Sequence, residues 1–244
     1  MIGRALRVQA RSFTGDVVLL GVVAAAFVMS LSLATSVPSD LAAAPVEARA
    51  AFIGPFRVVM ATYGGVLAAV YGSFRYTIDR RDGVIAQRLT MGPRWALFLA
   101  RVPAAAVGGA VVALAGVFGG HIALIVTMGG VPVEWSATAS ALAFGAVAGL
   151  WGLGLGVVVQ VHLVALFVAS MSMSAALLLA VFCGAVAAFL PPLVMLEAVG
   201  IDVTAVGIMP DDRLDRAPAV GVTTGWVSLA LLVGGVSFMK RDVK

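Results

Sequence analysis

Residues 74–101 read FRYTIDRRDGVIAQRLTMGPRWALFLAR, and the placement of the whole chain turns on this stretch. Arg80, Arg81, Arg88 and Arg94 lie between Arg75 and Arg101, and Asp79 and Asp82 offset part of their charge. No other long charged run separates two long apolar ones. The stretch therefore reads as an aqueous loop joining two membrane-spanning helices, and the rest of the chain is read outward from it.

Composition sets the same frame. The chain has 244 residues, 61% hydrophobic and only 11% charged, with a mean hydropathy of +1.08. A soluble domain carries about 25% charged residues. Several apolar runs reach the roughly 20 residues that a spanning helix needs. Backbone groups in lipid must pair internally, which leaves helices or a closed barrel. Continuous apolar runs, without alternation, exclude the barrel. The lone Cys183 makes no internal disulfide, and no metal-type Cys/His spacing occurs. It reads as a small buried packing residue. The net charge of +4 is no nucleic-acid signal here, because in a membrane protein the distribution of charge outweighs its sum.

Taken in order, residues 1–15 carry Arg4, Arg7 and Arg11 on one helical face, opposite Ile2, Leu6 and Phe13. This pattern predicts an amphipathic helix in the membrane interface. Val17–Thr35 is the first expected span, longer than a usual signal-peptide core. Ser36–Pro55 reads as a loop. Further spans are expected over about Phe56–Phe74, Ala96–Thr127, Thr138–Val159, Leu163–Cys183 and Val222–Met239. Ala96–Thr127 is long enough to begin as an interfacial segment before Pro103. Pro191-Pro192 interrupts the apolar run after the fifth span, so Gly184–Gly200 reads as a re-entrant or interfacial pair of short helices. Asp202–Pro218, with Asp211, Asp212 and Asp215, is a polar loop.

The fold class expected is thus all-α: one polytopic membrane domain over 1–244, with six spans, an N-terminal interfacial helix and a re-entrant segment between spans five and six. Charge orients it. Placing the termini and the 75–101 loop inside puts Arg4, Arg7, Arg11, Arg75, Arg80, Arg81, Arg88, Arg94, Arg101, Lys240, Arg241 and Lys244 there. Only Arg49, Arg57, Arg213 and Arg216 fall outside, so twelve face four in a positive-inside pattern. A seventh crossing at Gly184–Gly200 would put the basic tail outside. The expected location is the cell membrane, with both termini cytoplasmic.

Small residues recur at close-packing spacing: Gly145/Gly149 and Gly152/Gly156 in span four, Gly116/Gly120 in span three. Packing within the chain is the plain explanation, a subunit interface the other. Catalytic motifs are sparse. No phosphate-binding GxxxxGK[ST] loop occurs, and the only lysines are Lys240 and Lys244. No catalytic, cofactor or metal residues are assigned. His121, within span three, reads as a satisfied packing histidine, and His162 as a solvated turn residue. An intramembrane protease would need Ser73 or Ser170 to face His121. An ion-coupled transporter would need buried carboxylates near mid-depth, whereas the acidic residues fall in loops or near span ends.

Residues 78–91 are expected to form one short helix. Ile78, Ile85 and Leu89 share a face, Arg80, Arg81 and Arg88 occupy others, and Gly83 and Pro93 set its bend and end. An apolar stripe in a cytoplasmic loop seeks a groove, and a partner protein is a natural host. The layout resembles the membrane subunits of ABC-2-type exporters, such as drug or antibiotic efflux permeases. Asp79-Arg80-Arg81-Asp82-Gly83, then Ile85 and Leu89, then Pro93-Arg94 are similar to the cluster, glycine, amphipathic turns and Pro-Arg pair of such permeases. Phe238-Met239-Lys240-Arg241-Asp242 is similar to their basic-Asp ending. Ala86 and Gln87 stand where a glutamate is frequent. The resemblance implies a permease that exports a hydrophobic or amphipathic substrate, paired with a second permease chain in the lipid bilayer. It implies no cofactor in this chain, with ATP and Mg held by a separate ATP-binding subunit docked on residues 78–94. It implies no nucleic-acid partner.

Overall fold

The computed structural model describes residues 2–90, 92–129, 133–180, 182–206, 209 and 213–241. The expected loop residues Asp211 and Asp212, and Asp242 and Lys244 of the tail, lie outside that set. Among the described residues the chain is all helical, without strands. The helices are α1 (Ile2–Phe13), α2 (Val17–Ser32), α3 (Val46–Arg81), α4 (Val84–Leu89), α5 (Arg94–Met128), α6 (Trp135–Val159), α7 (His162–Ala180), α8 (Gly184–Ala187), α9 (Leu193–Ala198) and α10 (Arg216–Lys240). Among them α3, α5, α6, α7 and α10 are each long and apolar enough to cross a membrane. The pair α1 and α2, bent by 52°, passes the same test together. That bend sits at Asp16, which caps α2 by accepting a hydrogen bond from the Leu19 N–H at 3.1 Å.

Several boundaries differ from the sequence reading. Half of the expected loop 36–55 is α-helix, because α3 starts at Val46 and accommodates Pro55 internally, and a 3₁₀ turn, Ser39–Ala43, precedes it. At its other end α3 continues through Phe74 to Arg81, so it runs for about 54 Å. Its last turns carry the charged residues beyond the apolar body. α5 is likewise continuous from Arg94, through Pro103, with no separate interfacial piece. α7 stops at Ala180, which leaves Cys183 in the following turn and exposed, not buried.

α6 is the centre of the bundle, packed on α3, α5, α7 and α10. Its glycines set those distances. A Cβ at Gly149 would strike the Ala105 and Gly109 backbone of α5, and one at Gly152 the Ala69 carbonyl of α3. A Cβ at Gly156 would lie 2.7 Å from the Ser73 Cα. The small-residue spacing of α6 is therefore spent on contacts within the chain. The segment after α7 breaks at Pro191-Pro192, and all six residues of α9 are buried. α9 is tied to its neighbours through its backbone: Thr223 of α10 donates to the Val194 carbonyl at 3.1 Å, and Ser140 of α6 to that of Val199 at 2.8 Å.

Side-chain contacts sort the helix termini into two ends. At one end meet α1, the start of α2, the end of α3, α4, the starts of α5 and α7 and the ends of α6 and α10. Arg94 donates to the Met239 and Arg241 carbonyls at 2.9 and 3.0 Å, and Arg241 donates to the Val158 carbonyl at 3.0 Å. The opposite end holds an ion pair between Arg57 and Glu134, and another between Arg213 and Glu197 at 3.1 Å.

Candidate functional site

The basic end is organised by buried charge. Asp79, 4% exposed, lies one turn after Arg75 on α3 and accepts from its Nη1 at 2.7 Å. It also accepts from Arg101 of α5 at 2.8 Å, and Arg101 is equally buried. Arg75 reaches across to Asp16 at 2.8 Å, and the Tyr71 hydroxyl donates to the same carboxylate at 3.2 Å. The Arg101 guanidinium lies 5.6 Å from the centre of the Tyr76 ring, which adds cation–π attraction. Two aspartates and two arginines thus form a neutral chain from α2 through α3 to α5. Buried charge of this kind is tolerable only when paired and hydrogen-bonded.

The elbow after α3 is built on this network. Asp82 ends α3, and Gly83 turns the chain with φ +73, a conformation that side chains disfavour. α4 follows for six residues only. The single helix expected over 78–91 is thus divided: Ile78, Asp79, Arg80 and Arg81 belong to the last turn of α3, and Ile85 and Leu89 to α4. The apolar stripe is also used differently from expectation. Ile85 is buried within the chain among Tyr76, Phe98, Leu153 and Phe238, and Leu89 packs against the same cluster. Its groove is supplied by α3, α5, α6 and α10, because the elbow folds back on the bundle. What the elbow leaves outward is polar: Arg81, Asp82, Gly83, Gln87 and Thr90 are exposed. Arg81 and Asp82 pair loosely at 3.4 Å. Arg80 is half-buried, and its Nη1 has no hydrogen-bond partner among the described residues. Pro93 precedes the first turn of α5, and Arg94 ties that turn to the end of α10.

Arg88 stands apart from the neutral chain. Its Nη1 donates at 2.8 Å to Oε1 of Gln9, a buried residue of α1, and it has no carboxylate partner among the described residues. Burial, joined by the like charge of Arg101, holds its pKa below the usual value. Arg88 lines a cavity of about 760 Å³ together with Arg4, Gln9 and Arg101.

The histidines do not behave as expected. His162 is not a solvated turn residue: its Nδ1 lies 3.2 Å from the Thr77 hydroxyl, and its ring stacks on Phe74 at 4.2 Å, joining α7 to α3. His121 is half-buried without a hydrogen bond among the described residues, and it lines a second cavity, of about 490 Å³, with Arg57, Glu134 and Trp135. Ser73 packs on Gly156 at the other end of α6, so the fold does not bring it to His121. Glu197, 4% exposed, accepts from Arg213 through one oxygen, while the other has no side-chain partner among the described residues. Burial raises its pKa, against the opposing pull of Arg213.

Sequence reasoning missed Asp16, Arg75, Arg101 and Gln9 as members of this site. Two signals were present: the i, i+4 spacing of Arg75 and Asp79, and the position of Asp16 directly before an apolar run. The pairing of Arg101 with Asp79 had no local signal. In comparisons with known proteins, no family model matches this chain, and no curated protein sequence matches it.

Proposed function

We propose that the chain is the membrane-spanning permease subunit of an ATP-driven exporter of the ABC-2 type, docked through its α3–α4 elbow on a separate ATP-binding subunit. The observation that carries this reading is the exposed ridge of Arg81, Asp82, Gln87 and Thr90, which runs from the end of α3 across Gly83 to the end of α4, with Ile85 anchoring the inner side of the elbow. A ridge so mounted passes force into the bundle: displacement of α4 loads Ile85, and displacement of the α3 end loads the Asp79 pairs to α5 and, through Arg75, to α2. ATP and Mg belong to the partner. The partner must favour one arrangement of the elbow over the other, since equal affinity shifts nothing.

A six-span arrangement in the cell membrane accompanies the proposal. α2 with the 3₁₀ turn Leu33–Ser36 is about 32 Å long, enough for a hydrocarbon core of about 30 Å. Segment 184–200 is then re-entrant, and both termini are cytoplasmic with the basic end. α7 and α10 expose apolar faces, including Phe167, Met171, Leu232 and Val236, suited to lipid or to a second permease chain. The substrate class is hydrophobic or amphipathic. Ion coupling is less favoured because Asp16 and Asp79 are each already held by arginine.

The test uses the complex extracted gently from native membranes. The triple variant Arg81→Glu, Asp82→Arg, Gln87→Glu changes only exposed residues. It is expected to keep the parent melting temperature and lose co-purifying ATPase activity and export. A variant that retains both activities sinks the docking role.

A further inference from the structure

We infer that the cavity between α1, α4 and α5 is a binding site for the phosphodiester headgroup of an anionic phospholipid. The inference requires the chain to be membrane-embedded but does not require an ATPase partner. The cavity, at about 760 Å³, falls in the range of roughly 300–1,000 Å³ typical of small-molecule sites. Among the described residues its lining contains Arg4, Arg88 and Arg101 and no carboxylate. Arg101 is neutralised by Asp79, within a set of two arginines and two aspartates that balances itself. Arg88 and Arg4 are left over. Among the described residues Arg88 has only the neutral carboxamide of Gln9, and Arg4 has no ion pair. A half-buried guanidinium with no carboxylate in ion-pair contact, and only the more distant charge of Asp79 to offset it, is costly, and a phosphate oxygen is its best-matched acceptor.

The rest of the lining argues for a lipid over a free anion. Val8 and Leu97 give the cavity an apolar wall, and Phe238 adds an aromatic one. A phosphate ion would leave those surfaces wet, whereas the glycerol and first acyl carbons of a lipid would cover them. α1 supplies both Arg4 and Val8, and its basic and apolar faces suit a helix lying at the headgroup level. A zwitterionic choline head would bring its own cation against Arg4 and Arg88, with no carboxylate among the described lining residues to receive it.

The experiment uses the full chain, delipidated in a neutral detergent, and follows its melting temperature. Dioleoyl-phosphatidylglycerol, dioleoyl-phosphatidylcholine and inorganic phosphate are titrated separately. Phosphatidylglycerol is expected to stabilise with a half-saturation at least about tenfold below that of phosphatidylcholine. Arg4→Gln, at an exposed helical position, is expected to raise the phosphatidylglycerol value by about fivefold, and Arg4→Gln with Arg88→Gln by roughly twentyfold. Both are expected to change the phosphatidylcholine value less than the phosphatidylglycerol value, so the preference narrows, and Arg88→Lys is expected to retain most of the preference. Equal action of the two lipids overturns the site, and so does an unchanged preference in Arg4→Gln, which stands even if the double variant fails to fold. Inorganic phosphate matching phosphatidylglycerol at equal concentration makes this a free-anion site and overturns the lipid assignment.

Discussion

Asp79→Asn tests the charge network that anchors the elbow. The substitution keeps the shape of the side chain and removes its charge. Arg75 loses little, because it is partly exposed and keeps Asp16 at 2.8 Å. Arg101 loses its one carboxylate among the described residues while remaining 4% exposed, with only the face of Tyr76 nearby. Breaking a buried ion pair costs about 3–5 kcal/mol. The asparagine carbonyl still accepts one hydrogen bond, which places the loss near the lower figure, about 3 kcal/mol. For a chain of this length that is a fall of about 6–12 °C in melting temperature. The assay is tryptophan fluorescence against temperature in a single detergent. Adding Arg101→Gln to Asp79→Asn removes the orphaned charge and is expected to recover part of the fall, with a coupling energy of about 1–3 kcal/mol. An Asp79→Asn protein melting within about 2 °C of the parent, or a double variant with no recovery, refutes the reasoning.

Other outcomes follow from the same geometry. Gly152→Ala places a Cβ against the Ala69 carbonyl, which is backbone and cannot rotate away; a loss of about 1–3 kcal/mol or more is expected, read as a melting temperature several degrees lower. Glu197 has a raised folded-state pKa, so its contribution to stability is fully present below its ordinary value of 4.5 and is lost as pH rises through the folded value. The melting temperature of Glu197→Gln minus that of the parent is therefore expected to increase with pH, and a flat difference contradicts the assignment. For topology, single cysteines in a Cys183→Ala background are expected to label from outside at Asp40 and only after permeabilisation at Asp82. External labelling at Asp82 overturns the orientation.

The sequence by itself determined the class of the molecule. Apolar runs near bilayer length leave the backbone no alternative to helix, so α5, α6 and α7 were legible to within three residues, while α10 begins six residues before the expected Val222, inside the expected polar loop. Helix periodicity also identified the amphipathic α1, and the Pro-Pro pair marked the break between α8 and α9. These are properties of one segment and its solvent. Tertiary structure decided whatever needed a second segment. The stripe on Ile85 and Leu89 predicts burial but not its host, and the bundle turned out to be that host. The α6 glycines predict close approach but not to which helix, and α3, α5 and α10 fill those places. Arg101 looked like a loop flank because its partner, Asp79, is 22 residues earlier across the elbow. A side chain's partner depends on how the helices cross, and periodicity within one helix carries no information about that crossing.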